Sequence, residues 1–182
     1  MRVISGTARG TKVNSIQELS TRPTLDRVKE SLFNILQPNI QEDSVILDLF
    51  SGSGALGLEA LSRGAKSATL CDNSKKAIKV IENNLQKTKL EAEIINEDFT
   101  KCIEKLQGKQ FDIIFLDPPY ETNYIEKAIN KILECNLLKK DGLIIAETDN
   151  QKIVENIEKL DITIRDKRKY GRVILIFLNR KG

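Results

Sequence analysis

The chain has 182 residues, of which 40% are apolar and 30% are charged, a balance typical of one folded domain rather than of a disordered segment. No apolar run approaches the roughly 18 residues that are needed to cross a bilayer, and the first residues lack the long apolar stretch of a secretory signal. The sequence therefore predicts a folded, cytoplasmic protein with no membrane association.

The chain contains no histidine and only three cysteines, Cys71, Cys102 and Cys135. Without histidine, no Ser-His or Cys-His pair can form a nucleophilic site. The cysteines lie far apart in the sequence and include no CxxC pair, which argues against a zinc site and against a disulfide framework. We therefore expect no metal ion, and we expect the chemistry to come from carboxylates, amides, hydroxyls, backbone groups or a bound cofactor.

The net charge of +3 is unevenly distributed along the chain. Residues 1–40 carry a net charge of +3 and residues 165–182 a net charge of +6, whereas residues 41–164 carry −6. An acidic body with two basic ends favours contact between those ends and a polyanion, and lysine-rich, solvated ends are the alternative interpretation.

Residues 1–40 are predicted to form an N-terminal extension that packs on a body of residues 41–182. Residues 1–13 are expected to form a small β-hairpin that turns near Gly6–Gly10. Residues 24–37 are expected to form an amphipathic helix with Thr24 as its N-cap, after an extended Arg22-Pro23 dipeptide. The apolar side chains at helical spacing are Leu25, Val28, Leu32 and Ile35.

The body alternates between short apolar runs and amphipathic segments. Strands are predicted at 44–49, 67–71, 92–96, 111–117, 142–147, 161–168 and 172–178. Helices are predicted at 54–63, 74–88, 99–107, 123–134 and 150–158. This alternation is typical of a parallel sheet with helices on both faces. Since only three residues separate the last two strands, they must form an antiparallel hairpin. The predicted fold class is α/β, Rossmann-like, with a seven-stranded, mostly parallel sheet.

A glycine-rich loop follows the first predicted strand of the body. In the segment VILDLFSGSGALG, the glycines Gly52, Gly54 and Gly57 form a GxGxxG pattern between a strand and a helix. Such glycines allow a tight turn and a close approach of the backbone to a ligand. Asp72, at the end of the second strand, is suited to accept hydrogen bonds from ribose hydroxyls. We expect a nucleoside cofactor here, and a loop that serves only packing is the alternative.

Acidic side chains near this loop favour a cationic cofactor. Asp48, four residues before Gly52, is expected to point into the same crevice, where its carboxylate would repel the pyrophosphate of a dinucleotide from the loop and the helix N-terminus. S-adenosylmethionine has no phosphate and carries a sulfonium and an ammonium group, which carboxylates attract. Asp98, after the third strand, is expected to accept a hydrogen bond from the adenine amino group, or else to act only as an acid at a helix N-terminus. The sequence therefore predicts S-adenosylmethionine as the cofactor.

The fourth predicted strand ends in Asp117-Pro118-Pro119-Tyr120, beside the same crevice. The two prolines have no N–H, so this turn presents the Asp117 carboxylate and carbonyl oxygens as acceptors for an NH2 group. Acceptors that hold both hydrogens of a nucleobase amine free its lone pair for attack on a methyl group, and Tyr120 offers a face on which the base can stack. We expect methyl transfer to an exocyclic amine, with the proton leaving to Asp117 or to water. A rigid turn that closes a buried strand is the alternative.

Several segments together resemble the RsmD family, bacterial enzymes that use S-adenosylmethionine to methylate the N2 amine of a guanine in 16S ribosomal RNA. The segments are DLFSGSGALGLEAL, FLDPPY, the early TRPTLDRVKESLFNIL and the late KYG, and the resemblance extends from Arg2 to about Phe177. It implies a class I methyltransferase fold with an N-terminal β-hairpin and helix extension. It also implies 16S ribosomal RNA as the partner, which we expect within an assembly intermediate of the small subunit, with naked RNA and the intact subunit as alternatives. Nothing in the sequence demands more than a monomer.

The resemblance also implies roles for individual residues. Asp48, Gly52 and Gly54 match the part of the motif that holds the methionine moiety, Asp72 matches the ribose contact, and Asp98 matches the adenine contact. Ser53 and Phe99 are further candidates for cofactor binding. Asp117, Pro118, Pro119 and Tyr120 match the catalytic turn. The candidate RNA contacts are Arg9, Lys12, Arg22, Thr24, Arg168, Lys169 and Arg172, and for Arg22 and Thr24 a purely structural role before the helix is the alternative. Family members usually carry glutamate where Asp72 stands.

Two other functions are compatible with parts of this pattern. An adenine-N6 methyltransferase acting on DNA or RNA would use the same DPPY turn, although a chain of 182 residues has no room for a separate target-recognition domain. A nucleotide-binding module or an NAD enzyme would share the glycine loop, but Asp48 and the DPPY turn argue against it.

Overall fold

The computed structural model describes residues 1–16, 23–119 and 123–182. For residues 23–25 it describes the backbone alone. The helices are α1 (Pro23–Leu36), α2 (Ala55–Ser62), α3 (Lys75–Thr88), α4 (Phe99–Lys105), α5 (Tyr124–Glu134) and α6 (Gln151–Ile157), with a short 3-10 helix at Gln37–Asn39. The strands are β1 (Val45–Asp48), β2 (Ser67–Cys71), β3 (Glu93–Ile95), β4 (Phe111–Leu116), β5 (Leu138–Thr148), β6 (Ile162–Tyr170) and β7 (Val173–Arg180). No helix in these ranges is long and apolar enough to cross a membrane.

The strands form one seven-stranded sheet in the order β3-β2-β1-β4-β5-β7-β6. The first five strands of this order are parallel, and β7 pairs antiparallel with both β5 and β6. Gly171 has a φ of +62° in the two-residue turn between β6 and β7, a conformation that glycine adopts at no steric cost. The predicted mostly parallel sheet with a C-terminal antiparallel hairpin is confirmed.

The helices cover the two faces of the sheet, and each face has its own apolar core. One core joins α1, α2 and α3 to the sheet and contains the tilted ring pair Phe33 and Phe115, with centroids 5.8 Å apart. The other core joins α4, α5 and α6 to the opposite face. Because both faces are covered, the central strands are apolar at almost every position, which explains their continuous apolar runs in the sequence.

Residues 1–13 do not form the predicted β-hairpin, which is a correction to the sequence analysis. Instead of a hairpin, the segment contains an isolated antiparallel bridge between Arg2 and Lys12. The reason is that its backbone N–H groups find acceptors on α2: Ile4 and Ser5 donate to the Glu59 carboxylate, and Ala8 donates to the Ser62 hydroxyl. Backbone donors that bond to a helix cannot also form a strand ladder.

Buried polar side chains attach this N-terminal segment to the body. Glu59 is fully buried and also pairs with Lys29 and Arg63, so its charge is compensated by two cations. Asn84 on α3 is fully buried as well: its amide accepts from the N–H of Asn14 and donates to the carbonyl groups of Asn14 and Ser53. Asn84 thus holds the N-terminal segment against the glycine loop.

Candidate active site

The glycine loop connects β1 to α2 at the carboxyl edge of the sheet. Gly52 and Gly54 have φ values of +56° and +80°, which side-chain-bearing residues rarely adopt. The N–H of Gly52 donates to Asp72 Oδ2 at 2.9 Å, and the N–H of Gly54 donates to the Ser51 carbonyl at 2.7 Å. A Cβ atom on Gly57 would lie 2.2 Å from Leu70 Cδ2, so the third glycine allows α2 to pack closely on β2. The first two glycines shape the loop, and the third serves packing.

A first cavity of about 480 Å³ opens beside this loop. Its walls are formed by Gly52, by Asp72 and Asn73 after β2, by Glu97 and Asp98 before α4, and by the turn after β4. Asp72 accepts from Gly52 through Oδ2 and from the N–H of Ser74 through Oδ1. Asp98 caps α4 by accepting from the N–H and the hydroxyl of Thr100 through Oδ1. Carboxylates therefore follow β2 and β3 on one wall of the cavity.

Three aromatic rings form another wall of the first cavity. Phe50 and Tyr124 are stacked with centroids 6.2 Å apart, and Phe99 lies 5.2 Å from Phe50 and 5.1 Å from Tyr124. Ile16 of the N-terminal segment also lines the cavity. The cavity thus combines hydrogen-bond acceptors on one side with a flat apolar surface on the other, which suits a nucleoside.

A second cavity of about 260 Å³ lies between α1 and the glycine loop. Its apolar wall includes Val28 and Leu32 of α1 and Leu56 of α2, and Ser53 and Lys29 contribute polar groups. Four residues line both cavities: Phe50, Gly52, Asp117 and Glu147. Asp117 and Glu147 therefore lie on the wall that the two cavities share.

Three carboxyl groups at this edge of the sheet have raised pKa values. Burial raises the pKa of Asp48 to about 7, that of Asp117 to about 6 and that of Glu147 to about 8, and the charge of Asp117 contributes to the shifts of the other two. Within the described ranges, no lysine or arginine forms an ion pair with any of the three. The site therefore concentrates three acidic groups, and no cation among the described residues compensates their charge when they ionise.

This donor set fits S-adenosylmethionine. Asp48 Oδ2 accepts from the N–H of Gly57, but Oδ1 is buried and has no hydrogen-bond partner among the described residues. A cationic ligand nearby would favour the charged forms of Asp48, Asp117 and Glu147, whereas a phosphate would be repelled by them. Asp72 would hold the ribose of this cofactor, and Asp98 with Phe99 would hold its adenine ring.

The structure brings four of the seven predicted cofactor residues to the first cavity, and the three exceptions are Asp48, Ser53 and Gly54. Asp48 is only 1% exposed and lies beneath the loop, so it does not point into the crevice as the sequence suggested. Gly54 is buried in the same loop and lines neither cavity, and a Cβ atom there would point toward Ile81 and Leu70. Ser53 lines the second cavity. Asp117, Pro118 and Pro119 line the first, whereas Tyr120 and Arg22 lie outside the described residues, as does the side chain of Thr24.

Sequence reasoning missed several residues of the site. Glu147 could have been predicted from the sequence, because it is an acid at the carboxyl end of β5, just as Asp48 and Asp117 stand at the ends of β1 and β4. Phe50 and Tyr124 carried a weaker signal, as single aromatic residues next to β1 and at the start of α5. Ile16 carried none, since its place in the wall depends on how the N-terminal segment docks.

The predicted RNA contacts fall into two separate regions. Lys169 is paired in register with Ile174 and Arg168 with Leu175, which places both basic residues at the carboxyl edge, two strands from Glu147. Arg172 is exposed in the turn between these strands. Arg9 instead lies in the turn that packs on the last residues of α2, about 12 Å along that helix from the glycine loop. Lys12 is exposed opposite Arg2 in the isolated bridge.

Solved structures share this architecture over almost the whole chain. The structure of Putative methyltransferase yhhF from Escherichia coli superposes with a TM-score of 0.84 at 33% identity, and the match covers 100% of this chain and 98% of that chain. The structure of SMU.776 in complex with SAH shares the fold with a TM-score of 0.67 at 20% identity, over 83% of this chain and 49% of that one. Together with the glycine loop, Asp72 and the acidic cavity, the fold defines an S-adenosylmethionine-dependent methyltransferase.

Sequence comparisons specify the family. The family model described as Conserved hypothetical protein 95 matches residues 1–179. The chain is 37% identical to the YlbH protein of Bacillus subtilis over 100% of both chains. It is 43% identical to Ribosomal RNA small subunit methyltransferase D of Haemophilus influenzae over 84% of this chain and 80% of that protein. The chain belongs to the RsmD and YlbH family.

Proposed function

We propose that this protein transfers a methyl group from S-adenosylmethionine to the exocyclic N2 amine of a guanine in 16S ribosomal RNA. The observation that carries the proposal is the position of Asp117 on the wall between the first cavity, which suits the cofactor, and the second cavity, which suits a nucleobase. A group at this boundary can hold an amine where it faces a methyl donor.

The catalytic contribution of the chain is positioning and proton acceptance. S-adenosylmethionine supplies a methyl group on a positively charged sulfur. The Asp117 carboxylate and a carbonyl oxygen of the DPPY turn would accept the two amine hydrogens, which leaves the nitrogen lone pair free to face the methyl group. Burial raises the pKa of Asp117 to about 6, so the carboxylate is charged at neutral pH and is also basic enough to accept the proton that the amine releases.

Two features support ribosomal RNA as the substrate. The first is the basic tip of the β6–β7 hairpin, where Lys169 and Arg172 are exposed at the same edge of the sheet as the second cavity. The second is the similarity to the Haemophilus influenzae relative, which is named Ribosomal RNA small subunit methyltransferase D. We propose that the hairpin binds RNA phosphates while an unpaired guanine enters the second cavity, because a paired N2 amine already donates to cytosine.

Transfer of a labelled methyl group tests this proposal directly. Ribosomal RNA from cells that lack the protein is incubated with the protein and tritiated S-adenosylmethionine, and the labelled nucleoside is identified after digestion. We expect N2-methylguanosine in 16S RNA. Label in N6-methyladenosine would favour the adenine-N6 alternative. Replacement of the target guanine by inosine, which lacks the N2 amine, should abolish the transfer and leave RNA affinity nearly unchanged.

A further inference from the structure

The two cavities meet at a second carboxylate that the proposed reaction does not use. We propose that Glu147 is the specificity-determining residue for the target base, and that its carboxylate accepts a hydrogen bond from the N1–H of the guanine whose amine Asp117 holds. This inference rests on the proposed function and adds to it the group that distinguishes guanine from adenine.

The strand register places Glu147 beside Asp117. Leu116 on β4 is paired with Ala146 on β5, so the next residues of the two parallel strands, Asp117 and Glu147, are neighbours at the carboxyl edge. Neighbouring strands are about 4.8 Å apart, a separation at which the two carboxylates can contact adjacent groups of one base edge. Both side chains line both cavities.

The Glu147 carboxylate forms no hydrogen bond or ion pair with the residues that the structure describes. It is half-buried, no donor in these ranges forms a hydrogen bond with it, and its pKa is raised to about 8 by burial and by the charge of Asp117. Lys29 lines the second cavity too, but its ammonium group donates to the Arg2 carbonyl at 2.9 Å and pairs with Glu59 at 3.5 Å. A donor from the target base would therefore stabilise the charged form of a carboxylate that lacks one.

The second cavity can orient a base toward this carboxylate. Val28 and Leu32 of α1 and Leu56 of α2 offer apolar surfaces for the faces of a ring, whereas the acceptors Asp117 and Glu147 lie together on the shared wall. A flat base that packs against these apolar side chains would turn its polar edge toward the two carboxylates. Carboxylates bind an edge that carries hydrogen-bond donors.

Guanine and adenine differ at the position next to the reactive amine. In guanine the ring nitrogen N1 beside the N2 amine carries a hydrogen, whereas in adenine the N1 beside the N6 amine carries a lone pair. The positive charge of bound S-adenosylmethionine and the N1–H donor of guanine both favour the ionised form of Glu147 over the protonated form that its raised pKa favours in the cofactor-free protein. An ionised carboxylate only accepts hydrogen bonds. Glu147 therefore bonds to guanine and repels adenine when the amine of either base is held by Asp117.

The experiment uses the full chain and matched RNAs that carry guanine, 2-aminopurine or 2,6-diaminopurine at the target position. Both analogues keep the N2 amine but replace the N1–H donor with a lone pair, and they differ from each other at C6. We expect the wild-type protein to methylate both analogues roughly 100-fold or more slowly than guanine, because a site built for a hydrogen-bond donor rejects a base that lacks it.

The variant Glu147→Gln separates a specificity role from a structural one. Its amide can donate to the N1 lone pair, so the variant should methylate both analogues faster than the wild type does and should methylate guanine more slowly. Asp149→Asn, an exposed acid two residues further along that lines neither cavity, is the matched control and should leave all three rates unchanged. Fluorescence of the 2-aminopurine RNA reports entry of the base into the protein independently of turnover, and it should rise more with Glu147→Gln than with the wild type.

Two results would overturn the inference. One is an equal loss of rate on all three RNAs in Glu147→Gln, and the other is a wild-type rate on both analogues that matches the rate on guanine. The second result requires only the wild-type protein, so the inference can be tested even if the variant does not fold. Failure of the proposed function looks different, because the wild type would then methylate no guanine at all.

Discussion

Asp72 Oδ2 accepts a hydrogen bond from the backbone N–H of Gly52 at 2.9 Å, which joins the end of β2 to the glycine loop. The same carboxylate lines the first cavity, so one side chain both shapes the loop and faces the space where we propose that the cofactor ribose binds. Asp72→Ala should weaken S-adenosylmethionine binding by about 1–3 kcal/mol, roughly 5- to 150-fold, because a charged acceptor is lost. Calorimetric titration measures the affinity of each variant for S-adenosylmethionine, and Asp141→Ala, at an exposed acid, is the control. Equal affinities in the two variants would contradict the proposed ribose contact.

Gly54→Ala should lower both stability and cofactor affinity. Gly54 has a φ of +80°, and alanine in the left-handed region costs about 1–2 kcal/mol. The loop can relieve this strain only by moving Gly52 and Ser53, which line the cavities. Gly108→Ala is the matched control, because its φ of +91° imposes the same strain in open space away from the site. Thermal unfolding should show similar losses for both variants, and calorimetry should show weaker binding for Gly54→Ala alone.

The free energy of unfolding of the cofactor-free protein should fall as the pH rises from about 4 to about 8. Burial raises the pKa values of Asp48, Asp117 and Glu147 to about 7, 6 and 8, above those of unfolded carboxyl groups near 4. The folded state therefore binds more protons than the unfolded state in this window, and each proton lost on raising the pH destabilises the fold. Chemical unfolding at several pH values measures the slope.

Binding of S-adenosylmethionine should show the opposite pH dependence. A cationic ligand favours the ionised carboxylates, so its affinity should increase from pH 5 to pH 8 and its binding should release protons. S-adenosylhomocysteine lacks the sulfonium charge and is the control, with a shallower dependence. Calorimetry in two buffers of different ionisation enthalpy counts the protons, and an identical pH dependence for the two ligands would refute the electrostatic argument.

Charge reversal at the tip of the β6–β7 hairpin should weaken RNA binding and reduce its salt dependence. Arg168 pairs with Asp166 at 2.8 Å, so Lys169 and Arg172, which form no ion pair with described residues, are the better candidates for phosphate contacts. The double change to glutamate should reduce the slope of log affinity against log salt by roughly 1.4–1.8 if both residues contact phosphates. Lys66 and Lys140, exposed at the opposite edge of the sheet, provide the control pair. Unchanged slopes for the hairpin variant would exclude these phosphate contacts.

Asp117→Asn should reduce turnover far more than binding. The amide loses the negative charge that accepts the released proton, so we expect turnover to fall by about 10²- to 10⁴-fold, the range of general-base catalysis. S-adenosylmethionine affinity should fall far less than turnover, because Asp117 supplies only part of the negative charge near the cofactor and Asp72 and Asp98 would provide the nucleoside contacts. Single-turnover rates together with calorimetry distinguish the two effects, and parallel losses in both would assign Asp117 to cofactor binding instead.

The sheet was predictable because its signals are local. The apolar runs of β1, β2 and β4 are continuous, since both of their faces are buried, and the short link between Lys169 and Gly171 allows only a hairpin. Asp72 and Asp117 could be placed in one site because the carboxyl ends of parallel strands meet at one edge. The N-terminal hairpin was predicted wrongly, because the sequence of residues 1–13 does not reveal that Glu59 and Ser62 would take up its backbone donors.

The sequence by itself determined the class of fold, the glycine loop, the acids that follow the strands and the DPPY turn, all of which depend on residue type and spacing within short segments. Only the tertiary structure decided that Asp48 lies beneath the loop, that Phe50, Phe99 and Tyr124 form one aromatic wall, and that Asp117 and Glu147 share the boundary between two cavities. The physical reason is that these relationships depend on side-chain packing and strand register between segments far apart in the chain, which no local pattern encodes.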